Sequence, residues 1–303
     1  MKKKIKEIYQ FVKQMITEVG NDNVFKYSAS LSYYTIFSLA PMLIIIITLC
    51  GFILGKEAMQ GEIFGQIKSL VGADAATQIQ DTLKNIHLSK NTPIATIISI
   101  ITLAVGATGI FAEIQDSLNK IWGLQVKRTT GLWKVILTRL LSFSLVLSLG
   151  FVLMVSLILN AIILSLGSRL NHIFSGITYT LIPVIENAIS FVVTTILFAA
   201  IFKILPDAKI KWKEVIIGAI ITSLLFLLGK FLIGYYLSTS KLTTMYGAAG
   251  SIIIILSWAY YSSVILYLGA EFTKVYALRY GKKIPPNDYS VWVKTEEVHT
   301  EKV

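Results

Sequence analysis

One cysteine among 303 residues excludes an internal disulfide and any metal site built on cysteine pairs. Cys50 lies within an apolar run, where it reads as a small buried hydrophobe. Histidine is scarce as well: His87, His172 and His299 fall in three separate loops or tails, so no two share metal-ligand spacing. There is no phosphate-cradling glycine loop and no dinucleotide fingerprint. Serines inside the apolar runs have no histidine at the same depth to act as a base. With six prolines and twenty glycines and no low-complexity tract, collagen-like and disordered readings fall away. Charged residues make up only 15% of the chain, against about a quarter in an average soluble domain. These absences lead to the expectation of a chain that is not an enzyme and carries no cofactor and no metal.

Hydrophobic sequence is what the chain has in abundance: 54% of residues and a mean hydropathy of +0.69. It comes in blocks longer than the roughly 18 residues that suggest a bilayer-spanning helix. Six spans are predicted, at about 31–54, 93–111, 140–166, 183–205, 215–237 and 251–273, giving an all-α polytopic membrane protein. The basic start, Met1-Lys-Lys-Lys, is followed too late by too long an apolar block for a cleaved signal, so span one reads as a retained anchor. Twenty-one of the 28 Lys and Arg residues lie in the N-terminal tail, the second and fourth loops and the C-terminal tail. The other loops hold six, and Lys230 lies inside a span. Basic residues near span ends stay on the inner side, so both termini are expected to be cytoplasmic. The net charge of +11 is then explained by topology and attraction to an anionic leaflet, without a nucleic-acid partner.

Two further segments show helical periodicity. Ile5, Ile8, Val12, Met15 and Val19 describe an amphipathic helix on the inner membrane surface within residues 1–26. The first outer loop predicts two short amphipathic helices split at Gly72, the first with Ile63, Ile67 and Leu70, the second with Ile79, Leu83 and Ile86. Residues 27–280 then form the six-helix domain, and 281–303, with Pro285-Pro286 and mixed charge, read as a mobile cytoplasmic tail.

Polar groups inside spans are the remaining candidates for function, because charge in hydrocarbon is costly and faces a partner or a wet cavity. Lys230 lies seven residues from the end of span five, about 10 Å deep at 1.5 Å per residue. It either pairs with Glu186 of span four, with Asn187 and Asn160 nearby, or snorkels to the headgroups. Glu113, Asp116 and Glu271 gather at the inner ends of spans two and six. They form either a cation or proton entry or a salt-bridge layer with Lys120 and Lys274. Ser28, Ser32 and Thr35 share a stripe of span one, suited to close packing or to a substrate path. Pro41 predicts a kink near Phe37. Trp122, Trp133, Trp212, Tyr235 and Tyr236 are expected interfacial anchors.

Four stretches carry a family resemblance: Ser28-Ala-Ser-Leu-Ser-Tyr-Tyr-Thr-Ile-Phe-Ser-Leu-Ala-Pro41, Gly109 to Trp122, Leu205-Pro-Asp207 with Trp212 and Gly218-Ala219, and Tyr246-Gly-Ala-Ala-Gly250 leading to Gly269-Ala-Glu271. In this order, over about residues 20–280, the chain resembles the YihY/BrkB family of bacterial inner-membrane proteins. The resemblance implies a six-helix membrane fold, and Tyr33, Pro41, Glu113, Asn119, Asp207, Tyr246 and Glu271 match its motif positions, with Lys230 in a matching segment. Members have carried a "ribonuclease BN" label, for which this chain offers neither metal ligands nor a basic catalytic face. The expectation is a multi-pass plasma-membrane protein that moves or presents an amphiphilic, lipid-like envelope component, with membrane lipids and envelope proteins as partners. A scaffolding role is the alternative, and ion-coupled transport of a small solute the third reading.

Overall fold

The computed structural model describes residues 2–54, 60–61, 63–65, 67–68, 73–85, 93–127, 178–239, 246, 248–281 and 284–293, together with 137, 140, 144 and 148 as isolated helical positions. The expected third span, at 140–166, therefore lies almost wholly outside the described residues. The described helices are α1 (Lys2–Asn21), α2 (Val24–Leu54), α3 (Ala73–Asn85), α4 (Pro93–Ile121), α5 (Thr178–Ile204), α6 (Trp212–Thr239) and α7 (Ala248–Tyr280). Two short strands, β1 (Leu124–Val126) and β2 (Ser290–Trp292), complete them. Among the described residues four helical stretches are long and apolar enough to cross a membrane: Val24–Thr48, Asn187–Ile204, Trp212–Tyr236 and Ala249–Tyr280. The chain is an all-α multi-pass membrane protein with a small added ladder.

Helices α2, α4 and α7 outrun the apolar blocks that predict them. α2 begins at Val24 rather than 31, and α4 continues from 111 to Ile121, carrying Glu113, Asp116 and Asn119 with it. These extra turns are polar in sequence but packed in structure, and hydropathy alone does not register them. Asn23, with φ of 54°, makes the corner between α1 and α2, and its carbonyl accepts from Lys26 and Tyr27 to start α2. Asparagine tolerates this left-handed geometry at a single residue. At the same end of the bundle, α4 stops at Gly123, φ 66°, as a glycine cap does. α6 opens with Glu214 reaching back to accept from the Lys211 backbone N–H at 3.0 Å.

Lipid tails are as apolar as leucine, so helices in a bilayer are held by close packing and polar contacts rather than by hydrophobic burial. The α6–α7 seam shows this. Gly218 of α6 faces Thr273 of α7, and Gly269 of α7 faces Thr222 of α6. A Cβ on either glycine would lie 1.9 Å from the opposing threonine Oγ1. Each threonine hydroxyl donates to the carbonyl of its own helix's glycine, at 2.7 Å, so neither is left unpaired. Between α2 and α4 the same logic places Gly106 against the ring of Pro41, where a Cβ would meet Cγ at 3.0 Å. The hydroxyls of Ser28, Ser32 and Thr35 donate to backbone carbonyls of α2 itself, at 2.7 to 2.8 Å, consistent with their packing role.

The C-terminal segment departs from expectation. Residues 284–293 are docked: β2 pairs antiparallel with β1, with Leu124 opposite Trp292 and Val126 opposite Ser290. Pro286 bridges to Ala208, and Ile284 and Ser290 are buried. The boundary at 281 thus falls too early, because three-residue strands beside a Pro-Pro pair leave no periodic signal. Trp122 also differs, being buried with its Nε1 donating to the Ala270 carbonyl at 3.2 Å, whereas Trp212, Tyr235 and Tyr236 are exposed as anchors should be.

A substitution test follows from the seam. Gly269→Val should lower stability by about 1–3 kcal/mol through overpacking. Gly234→Ala, whose added Cβ meets nothing within 4 Å, should leave it unchanged or slightly raised. Unfolding in mixed micelles compares the two, and equal effects would contradict the close packing of α6 on α7.

Candidate functional site

The middle of the bundle holds a half-open cavity of about 310 Å³. Its walls come from α2 (Leu31, Thr35, Leu39), α4 (Ile110, Ile114), α5 (Phe198), α6 (Phe226) and α7 (Trp258 to Leu266). Phe198 and Phe226 meet edge-on with ring centroids 5.8 Å apart, and Trp258 follows at 6.3 Å. Among the described residues no charged side chain lines it. Three hydroxyls do: Thr35 and Ser263 donate to their own helices, whereas the buried Ser262 Oγ has no hydrogen-bond partner. A second cavity of about 210 Å³ adjoins the first and shares Leu39, Ile79 and Ile255 with it. Ile79 and Gln78 are supplied by α3, so the helix that lies between α2 and α4 in sequence helps to wall the end of the space. Ile63 and Ile79 pack on Leu43, Ile46 and Ile47 of α2 there.

At the end of the bundle that holds both termini, the polar residues converge on one group. The Asp207 carboxylate is buried and accepts from Asn119 Nδ2 at 2.9 Å and Gln115 Nε2 at 3.2 Å. In return Asn119 Oδ1 accepts from the Asp207 backbone N–H at 2.8 Å. The Asp207 carbonyl accepts from Ser290 Oγ at 2.8 Å and from the Asn287 N–H at 3.0 Å. Burial, with the Asp207 carboxylate beside it, pushes the Tyr289 phenol up from its ordinary value. At the surface, the Lys209 ammonium 2.6 Å from Asp288 holds that carboxyl below the usual range. This clasp joins α4, the α5–α6 corner and the C-terminal strap.

A third group lies where α1 crosses α7. Phe11, Met15, Glu18 and Asp22 form one stripe of α1, and Phe11 stacks edge-on with Phe272 at 5.2 Å. Lys274 Nζ lies 2.6 Å from Glu18, pairs with Asp22, and is 3.5 Å from Glu271. Glu271 is fully buried, and neither of its oxygens accepts a hydrogen bond. The opposite face of α1, with Ile5, Ile8, Tyr9, Val12 and Ile16, is exposed, so the stripe expected from sequence divides between two faces.

Sequence-predicted residues thus separate into several places. Asn119 and Asp207 are brought together in the clasp. Glu271 joins Lys274 as its helical neighbour, but Glu18 and Asp22, which complete the group, were not singled out. Their signal is the Phe11–Met15–Glu18–Asp22 spacing. Asp116 pairs with Lys120 at 2.5 Å on the surface and holds that ammonium above its usual range, and Glu113 stands partly buried nearby. Tyr33 and Tyr246 are exposed, away from the cavity, with Tyr33 against Phe37 at 4.8 Å. Lys230 is exposed on α6, while the Glu186 side chain and Asn160 lie outside the described residues. Pro41 is internal to α2.

The family described as virulence factor BrkB matches residues 15–290. A UPF0761 membrane protein of Psychromonas ingrahamii is 26% identical over 279 residues, covering 89% of this chain and 88% of that protein. A putative ribonuclease-like protein, YfkH of Bacillus subtilis, is 27% identical over 262 residues, 85% of this chain and 91% of its own. A UPF0761 membrane protein of Photobacterium profundum is 28% identical over 300 residues, with 95% and 89% covered. No solved structure matches.

The clasp yields a graded prediction. Asn119→Ala removes a hydrogen bond to a buried carboxylate and should cost about 1.5–3 kcal/mol. Ser290→Ala, which loses one neutral hydrogen bond, should cost about 1 kcal/mol. Limited proteolysis after Tyr280 should accelerate in the first variant more than in the second, and equal rates would contradict the central place of Asp207.

Proposed function

The chain belongs to the BrkB family of bacterial membrane proteins, and from that premise we propose that it moves or presents an amphiphilic, lipid-like envelope component, holding the apolar part in the cavity among α2, α4, α5, α6 and α7. The observation that carries this reading is the partnerless Ser262 hydroxyl in an otherwise apolar space of about 310 Å³. Ligand cavities run to about 300–1,000 Å³, and such a space suits a chain-like guest better than a hydrated ion. A cavity in a bilayer has little hydrophobic advantage over the surrounding lipid, so an acyl chain exchanges between the two at small net cost. Selectivity then rests on the few polar groups, with the Ser262 hydroxyl able to donate to an ester or amide carbonyl of the guest and the Thr35 oxygen able to accept from its amide or hydroxyl. Passage without tight retention is what moving or presenting a lipid requires.

In this reading both termini face the cytoplasm, α3 lies at the outer mouth, and the protein carries out no bond-making step. The ribonuclease-like name of the Bacillus subtilis relative is not extended to this chain: the carboxylates it clusters are filled by Lys274, and its histidines are scattered in sequence.

Ala259, a buried cavity-lining residue of α7, is the place to test it. Native mass spectrometry of protein extracted from its own membrane should show a distinct lipid class on wild type. Ala259→Trp, which fills the cavity, should lose that class at an unfolding midpoint close to wild type. Bulk phospholipid alone on both proteins, or the same retained class on both, would overturn the proposal.

A further inference from the structure

The group at the α1–α7 crossing has too little positive charge for its carboxylates. Glu18, Asp22 and Glu271 bring oxygens within 4.8 Å of one another, and Lys274 is the one ammonium among them. Lys274 is spent on Glu18 and Asp22, which it meets at hydrogen-bonding distance, while Glu271 stands further off at 3.5 Å. Glu271 is also the member most removed from water, with a side-chain exposure of 0% against 30% for Glu18 and 23% for Asp22. Its two oxygens accept no hydrogen bond. A carboxylate in that position is costly to leave charged, and the cost is relieved by a further positive charge.

We propose that Glu271 is a proton-binding site: while α1 is docked on α7, its side chain is the neutral acid. A metal ion would supply the missing charge too, but Lys274 Nζ already occupies the centre of the three carboxylates, where a metal would sit. A proton needs no more room than Glu271 itself provides, and the Asp22 carboxylate beside it is an acceptor for the acid O–H. The charged groups that act on Glu271 are Lys274 of its own helix and Asp22 and Glu18 of α1. Two more buried hydroxyls continue along the same face of α7 at four-residue spacing: Tyr267, whose hydroxyl lies beside that of Ser117, and Ser263, which lines the cavity. The proton site therefore ends a polar row that starts at the cavity wall, on the helix that both share.

Infrared difference spectroscopy of the full chain in nanodiscs of phosphatidylethanolamine and phosphatidylglycerol tests this. Wild type should show a protonated side-chain carboxyl band at pH 7 that disappears on alkalinisation and is missing in Glu271→Gln at every pH. Glutamine has the shape of the neutral acid, so the variant's unfolding midpoint at pH 7 should lie within about 2 °C of wild type. In Asp22→Asn, which removes a neighbouring negative charge, the band should remain and disappear at lower pH. A wild type without the band, a band that persists in Glu271→Gln, or calcium binding by calorimetry that Glu271→Gln abolishes would overturn the proposal.

Discussion

The Asp207 carboxylate has to be buried, because the corner between α5 and α6 is covered by the C-terminal strap on one side and α4 on the other. A buried carboxylate is tolerable only when donors surround it, and removing one leaves an uncompensated charge. Asn119 and Gln115, one turn apart on α4, supply those donors, and the Asp207 backbone returns a hydrogen bond to Asn119. The constraint propagates outward. α4 must run past the apolar part of its sequence to carry Gln115 and Asn119 to the corner, and the strap must fold back to bring Ser290 and Asn287 to the Asp207 carbonyl. Trp122, at the end of the same helix, reaches the Ala270 carbonyl and fixes α4 against α7. The ends of three separate segments are thereby set by a single side chain.

Above that closed end, packing is governed by a different rule. Small residues bring helices together where contact is needed, as at Gly218 with Thr273 and Gly269 with Thr222, and aromatic and branched residues hold them apart elsewhere. Phe198, Phe226 and Trp258 keep a space between α5, α6 and α7 that side chains do not fill. The polar groups of the bundle are sorted accordingly. Those around Asp207 are satisfied by one another, whereas Ser262 in the cavity is left without a partner in the protein and Glu271 at the α1–α7 crossing accepts no hydrogen bond.

Much of this was legible from residues alone, for physical reasons that differ by element. Apolar blocks longer than a bilayer announced α2, α5, α6 and α7, since nothing else in a chain this poor in charge can hold such runs. Pro93 marked the first turn of α4 correctly because a helix start has no use for the missing N–H. The polar extensions were hidden, since Asn119 and Gln115 are buried through a partner distant in sequence, Asp207, that hydropathy does not see. The strap was hidden for the same reason: Ser290 is a surface residue by type and a buried one by virtue of Asp207. Asn119 and Asp207 were singled out through motif resemblance, and Glu271 already as a charge inside an apolar span. Glu18 and Asp22 were not, because an acidic pair on an amphipathic helix reads as its solvated face until α7 is placed against it. Tyr33 and Tyr246 illustrate the converse, motif positions whose side chains face outward.

The cavity is the claim on which the functional account stands, and density inside it is the most direct measurement. A cryo-electron microscopy reconstruction of the protein in native-lipid nanodiscs should show an elongated, non-protein feature between α2, α4 and α7, passing Phe198, Phe226 and Trp258 with its polar end at Ser262. A bundle in which protein side chains close that space, leaving no room beside Ser262, would contradict it.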